Sequence, residues 1–170
     1  MPRAYLPTSA FSSFGHQVGR PFYFGSKRTV EGKQYPIYCR KARAENDPIC
    51  LNLTAPEEVV LDQNVLAEGF KYSRLGAYSP SPNGKYVAYL HDTEGDEFYS
   101  IHVRDIASGT ELPGLEAIQD AYDTIAWGKT TNVLYYVTQD DANRPYRVYR
   151  FQYFILSLFT LFPCPFVLLL

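Results

Sequence analysis

The sequence predicts an all-β fold: an incomplete β-propeller of about two and a half blades, followed by an unrelated apolar tail. Two observations carry this. The chain is rich in side chains that fit a pleated surface, with 15 Tyr and 11 Phe in 170 residues. It also repeats itself. Tyr86-Val87-Ala88-Tyr89-Leu90 lies over Val133-Leu134-Tyr135-Tyr136-Val137 at a shift of 47 residues, and the same shift carries Tyr99 onto Tyr146 and Ile101 onto Val148. A period in the forties, built of short strands and Gly/Asn/Asp turns, is how propeller blades are written.

Each unit reads as a turn, a strand, a polar turn and a second strand. In the first, Ser81-Pro82-Asn83-Gly84 is the turn and Thr93-Glu94-Gly95-Asp96 the hairpin connection. In the second, Gly128-Lys129-Thr130-Thr131 and Gln139-Asp140-Asp141-Ala142-Asn143 take those places. A partial third copy lies upstream: Tyr23-Phe24, then Glu31-Gly32, then Tyr35 to Arg40. Ile101 and Val103 fall on one strand face, His102 and Arg104 on the other. Asp105 to Thr110 reads as a turn into an outer strand. Trp127, just before a turn, is expected to pack blade against blade. Two and a half blades do not close a ring, which needs four to eight. The chain therefore reads as a fragment, or as a module that borrows a partner for its open sheet faces and edges. Those faces predict poor solubility.

The chain reads as a lead-in at 1–21, the blades at 22–150 and a tail at 151–170, and its charge is partitioned unevenly. Residues 1–30 hold four basic residues and no acid; residues 31–150 hold the other 12 basic residues and all 18 acids; residues 151–170 hold no charge. A net charge of −2 gives no case for nucleic acid, which needs a clustered basic face. The Ser-rich, acid-free N-terminus is that of an unstructured lead-in or a weak transit peptide. The expected location is cytoplasmic, with chloroplast or mitochondrion as alternatives through that N-terminus, or a membrane through the tail. The tail is about long enough to span a bilayer, but Pro163 and Pro165 would break a helix in its second half. Translation of a retained intron after Arg150 is the competing origin.

No residue earns a catalytic, cofactor or metal assignment. Cys39, Cys50 and Cys164 are an odd, scattered set without a C-x-x-C, so neither a disulfide scaffold nor a zinc ribbon is indicated. His91 and His102 lie near Asp92, Asp96 and Asp105, but neighbours on a strand point to opposite faces. Nothing in the spacing brings a base within reach of a nucleophile. These residues read as exposed polar groups on blade surfaces. Asp92, Glu94, Asp96 and Glu97 lack the spacing of a calcium loop, with Val103 where the twelfth-position Glu should be. They read as a solvated hairpin tip, as do Asp140 and Asp141 in the next unit.

Ordered motifs over some 130 residues carry a specific resemblance. They are TVEGKQYPIYCR (Thr29 to Arg40), EEVVLDQN (Glu57 to Asn64) with Ala67 to Gly69, and Leu75 to Ala77. SPSPNGKYVAY (Ser79 to Tyr89), DTEGDEFYSIHVRD (Asp92 to Asp105) and RPYRVYR (Arg144 to Arg150) follow. Residues 22–150 so resemble the N-terminal part of the prolyl oligopeptidase family, in its oligopeptidase B branch. The resemblance implies a seven-bladed propeller that caps an α/β-hydrolase serine peptidase, admits only short peptides, and cleaves after Lys or Arg. It implies a Ser nucleophile on a G-x-S-x-G elbow, followed by Asp and His; the 170 residues contain no G-x-S-x-G. The expectation is thus a propeller segment inactive by itself, with peptide substrates and the catalytic domain as partners only in the full-length enzyme. The alternatives are a non-catalytic or dominant-negative module that pairs with the full-length enzyme, and a membrane-anchored propeller fragment.

Overall fold

The computed structural model describes residues 23–42, 56–115, 118–152 and 168–169. The chain divides into two compact units, residues 1–69 and residues 70–170.

In the first unit, β1 (Tyr23–Arg28), β2 (Ile37–Ala42) and β3 (Glu57–Asp62) form an antiparallel sheet in chain order. The TVEGKQYP motif is the β1–β2 connection. Ile37 and Cys39 of β2 and Val60 and Leu61 of β3 are buried. Arg40, also buried, places its Nε 2.7 Å from Glu58 on the neighbouring strand. The Asp62 carboxylate then caps α1 (Gln63–Leu66) by accepting from the Asn64 amide at 2.9 Å.

The second unit holds two sheets. One contains β4 (Arg74–Pro80), β5 (Tyr86–Asp92) and β6 (Ser100–Asp105); the other contains β7 (Ala121–Trp127), β8 (Val133–Gln139), β9 (Pro145–Gln152) and β10 (Leu168–Leu169). The repeat is literal, because β4 and β5 shifted by 47 residues give the bounds of β7 and β8. Each unit therefore has a strand before the first turn that the two-strand reading omits. Both omitted strands carry a register shift, between Leu75 and Tyr78 in β4 and between Ala121 and Ile125 in β7. Such irregularities disturb the period-two pattern by which strands are recognised. Gly76 in β4 is required by a close approach: a Cβ there would stand 2.6 Å from Asp123 Oδ1 and 2.8 Å from the Tyr99 ring. The outer strand expected after Asp105 is reduced to one isolated bridge, Arg104 with Glu111.

Packing between these sheets follows the repeat. Tyr86, Ala88, Leu90, Tyr99, Ile101 and Val103 of the first meet Ala121, Leu134 and Tyr136 of the second in one buried cluster, with Trp127, Tyr149 and Phe151 at its margin. Hydrogen bonds between residues 42 to 48 positions apart run along the interface. The Trp127 indole N–H donates to the Ser79 carbonyl at 2.8 Å, so this residue packs blade against blade as its position predicts. Asn83 Nδ2 donates to Thr131 Oγ1 at 3.2 Å, Gln139 Nε2 to the Glu97 carbonyl at 2.7 Å, and the Ala77 amide to Asp123 Oδ1.

The expected lead-in at 1–21, Cys50 and Cys164 lie outside the described residues, as does residues 153–167 of the tail. Within the tail's range, β9 runs on to Gln152, and Leu168–Leu169 pairs with Arg150 and Tyr149. Among the described residues, no helix is long and apolar enough to cross a membrane.

Candidate functional site

A group of chemically capable side chains lies on the face of β5 and β6 opposite the interblade cluster. Alternation along β5 puts Val87, Tyr89 and His91 on this face, and cross-strand pairing sets Tyr89 against His102 and His91 against Ser100. The Tyr89 and His102 rings stack with centroids 5.1 Å apart, and the His91 ring meets His102 edge-on at 6.2 Å. Two serines complete the group. Ser73 Oγ lies 2.9 Å from His91 Nε2, and Ser100 Oγ lies 2.9 Å from His102 Nε2. The Ser100 hydroxyl also donates to the His91 carbonyl at 2.9 Å. With its single proton used there, it accepts from His102, which assigns the His102 proton to Nε2.

His91 and Asp92 are both buried, which corrects the expectation of exposed polar groups on a blade surface. The reason is local for each. Phe70 packs edge-on against the His91 ring at 5.7 Å. Asp92 turns to the other side of the strand and is 0 % exposed. There Oδ1 accepts the amides of Glu94 at 2.9 Å and Gly95 at 2.7 Å, while Oδ2 accepts that of Glu97 at 3.1 Å. This buried carboxylate is what folds the hairpin connection, which passes through left-handed backbone at Gly95 (φ 87°) and Glu97 (φ 66°). Glu94, Asp96 and Glu97 are exposed, as a hairpin tip requires. Asp105 accepts the amides of Ala107 and Ser108 in the turn that follows β6. Asp140 accepts the amides of Ala142 and Arg144 and the Arg144 guanidinium at the equivalent tip of the second blade, where Asp141 is exposed. Among the described residues, no group of three His, Cys, Asp or Glu side chains is placed to hold a metal ion.

The electrostatics follow from burial. Desolvation, then the neighbouring His102, pull the His91 imidazole below its ordinary value, against a smaller opposing pull from Asp92. Burial, then the Glu111 carboxylate that accepts its hydroxyl at 2.8 Å, push the Tyr89 phenol far above its ordinary range. Ser73 and His91 stand as nucleophile and base do in hydrolases. Their arrangement stops short of that chemistry: Asp92 serves the loop amides instead of orienting the imidazole, and both partners are buried away from any substrate. Sequence reasoning missed this contact, because Ser73 lies in the connection before β4, outside any strand pattern.

Comparison with known proteins settles the family. The model of the prolyl oligopeptidase N-terminal β-propeller domain matches residues 4–152. The chain belongs to that family. Protease 2 of Moraxella lacunata is 33% identical over 134 residues, covering 79% of this chain and 19% of the relative. Dipeptidyl aminopeptidase BI of Pseudoxanthomonas mexicana is 30% identical over 120 residues, covering 66% and 16%. The solved structure of oligopeptidase B from Leishmania major superposes with a TM-score of 0.64 at 30% identity, over 78% of this chain and 18% of that one. The three sheets are thus blades of a partial β-propeller, and the chain spans about a fifth of the length of these relatives.

Proposed function

We propose that this chain supplies opening blades of the substrate-gating propeller of an oligopeptidase-B-like serine peptidase, and that it does not hydrolyse peptides by itself. In that enzyme, cleavage after Lys or Arg falls to an α/β-hydrolase part, and the propeller limits entry to short peptides. The supporting observation is the family match over residues 4–152, joined by the relationship to Protease 2. The buried Ser73–His91 contact agrees with it, being a packing and hydrogen-bonding feature that no carboxylate orients among the described residues. Treatment of purified residues 1–170 with a fluorophosphonate probe should leave every serine unlabelled. Covalent labelling of Ser73 would overturn the non-catalytic reading.

A second reading, an interaction module that pairs with the full-length enzyme, is favoured by one contrast. Ile101 and Tyr99 are 0 % and 2 % exposed in the first blade, while their repeat equivalents Val148 and Tyr146 are 58 % and 53 % exposed in the second. That face repeats an interblade surface and suits another blade. Co-purification of tagged residues 1–170 with the full-length enzyme, lost on Val148→Asp, would support pairing; a monodisperse monomer alongside free enzyme would exclude it.

A further inference from the structure

The contacts around His91 join two parts of the second unit: the β5–β6 hairpin and residues 70–73, which bring the chain into β4. This entry segment has no strand pairing of its own and lies over the hairpin through side chains. Phe70 meets the His91 ring edge-on at 5.7 Å, the Tyr72 ring lies over Gly95 at 3.6 Å from where a Cβ would stand, and Ser73 Oγ reaches His91 Nε2 at 2.9 Å. At the segment's end, the Arg74 guanidinium bonds Glu97 on the hairpin at 2.8 Å. Immediately before it, Gly69 holds a left-handed backbone at φ 86°, a natural pivot. Two of these four attachments converge on one titratable ring.

We propose that His91 is a proton-operated latch: neutral, it holds residues 70–73 against the β5–β6 hairpin, and protonated, it lets them go. The physical reason is desolvation. Phe70, Ser73 and His102 all lie against the buried imidazole, so a charge on the ring has lost its water and faces a second imidazole edge-on. Lifting the segment restores solvent to the ring. Protonation does not break the Ser73 contact, since a charged Nε2–H still donates to a hydroxyl; the drive is hydration of the cation.

The other charges around the ring do not offset this. From β6 comes His102, whose Nε2–H is engaged by Ser100. From β5 comes Asp92, turned to the opposite face with both oxygens on loop amides. The entry segment brings no charge to the ring, because Lys71 is exposed and Arg74 is paired with Glu97. The downward pull on the His91 pKa agrees with this geometry. Release linked to uptake of one proton grows by up to about tenfold per pH unit below the ordinary His range.

Trypsin cleavage after the exposed Lys71 in residues 1–170, its rate divided by that of an unstructured peptide carrying residues 66–76, tests this between pH 7.5 and 5. The divided rate should rise by roughly tenfold across that range, while the β5 and β6 amides stay protected from hydrogen exchange. His91→Gln, which stays neutral and still bonds Ser73, should keep cleavage slow at both pH values. Ser73→Ala should speed it at both. Three results would each overturn the latch: a pH-independent divided rate in the wild type, loss of protection in β5 and β6 together with the cleavage, or a pH response retained in His91→Gln with β5 still protected.

Discussion

Ile101 and Val148 occupy the same place in successive repeats, 47 residues apart, yet Ile101 is 0 % exposed and Val148 58 %. Truncating each to Ala tests whether the blades stack through that place. Ile101 sits in the cluster with Leu134 and Tyr136 of the neighbouring sheet, where a shortened side chain leaves a cavity between two sheets. Large-to-small changes of this kind cost about 3 kcal/mol. Val148→Ala removes carbons already in water and should cost under about 1 kcal/mol, β-propensity included. The assay is urea unfolding followed by the fluorescence of Trp127, the single tryptophan, whose indole bonds Ser79 across the same interface. With a slope of about 2 kcal/mol per molar urea, Ile101→Ala should lower the midpoint by about 1.5 M and Val148→Ala by less than about 0.5 M. Equal shifts, or a larger one for Val148→Ala, would refute the repeat-based account of packing.

Asp92→Asn should destabilise by about 2 kcal/mol, because the amide NH₂ that replaces one oxygen cannot accept from the loop amides that the buried carboxylate now satisfies; an unchanged urea midpoint would count against the carboxylate as organiser of the hairpin. Cys39 should resist iodoacetamide in the native chain and react only on unfolding, mapped by mass spectrometry, since burial chiefly, with Glu57 beside it, pushes its thiol up to about 12. The amides of Ser108 first, then Lys85 and the amide of Ala107, hold the Asp105 carboxyl below its ordinary 3.8. Its folded-state pKa is thus the lower one, so its contribution is present above about pH 4 and fades as pH falls further. Asp105→Asn should flatten the stability profile in that acid window; an identical profile would show that the turn does not depend on the charge.

The repeat was legible wherever side-chain alternation and turn chemistry coincide. Tyr86 to Leu90 and Val133 to Val137 announce β5 and β8, and Asn83-Gly84 announces the turn before β5. β4 and β7 were not legible as strands: Gly76 and Pro80 lower the strand propensity of one, exposed Asp123 and Thr124 blur the alternation of the other, and both carry an irregular register. Their place in the repeat appears once the bounds of β5 and β8 are known. In the candidate site, the facing of Ile101 and His102 followed from period two. The burial of His91 and Asp92 did not, because it depends on what covers a strand from outside it: Phe70 and Ser73 for one, the folded-back hairpin amides for the other. Neither a covering segment nor a buried carboxylate that serves backbone amides leaves a periodic trace in sequence.

The proposed role is that of blades in a serine peptidase's gating propeller, with no peptidase chemistry of their own. Its most direct test is an assay of purified residues 1–170 on short chromogenic peptides ending in Lys or Arg, with and without a serine-directed inhibitor. The account predicts no inhibitor-sensitive hydrolysis. Turnover that the inhibitor abolishes, and that Ser73→Ala or His91→Gln removes, would contradict it.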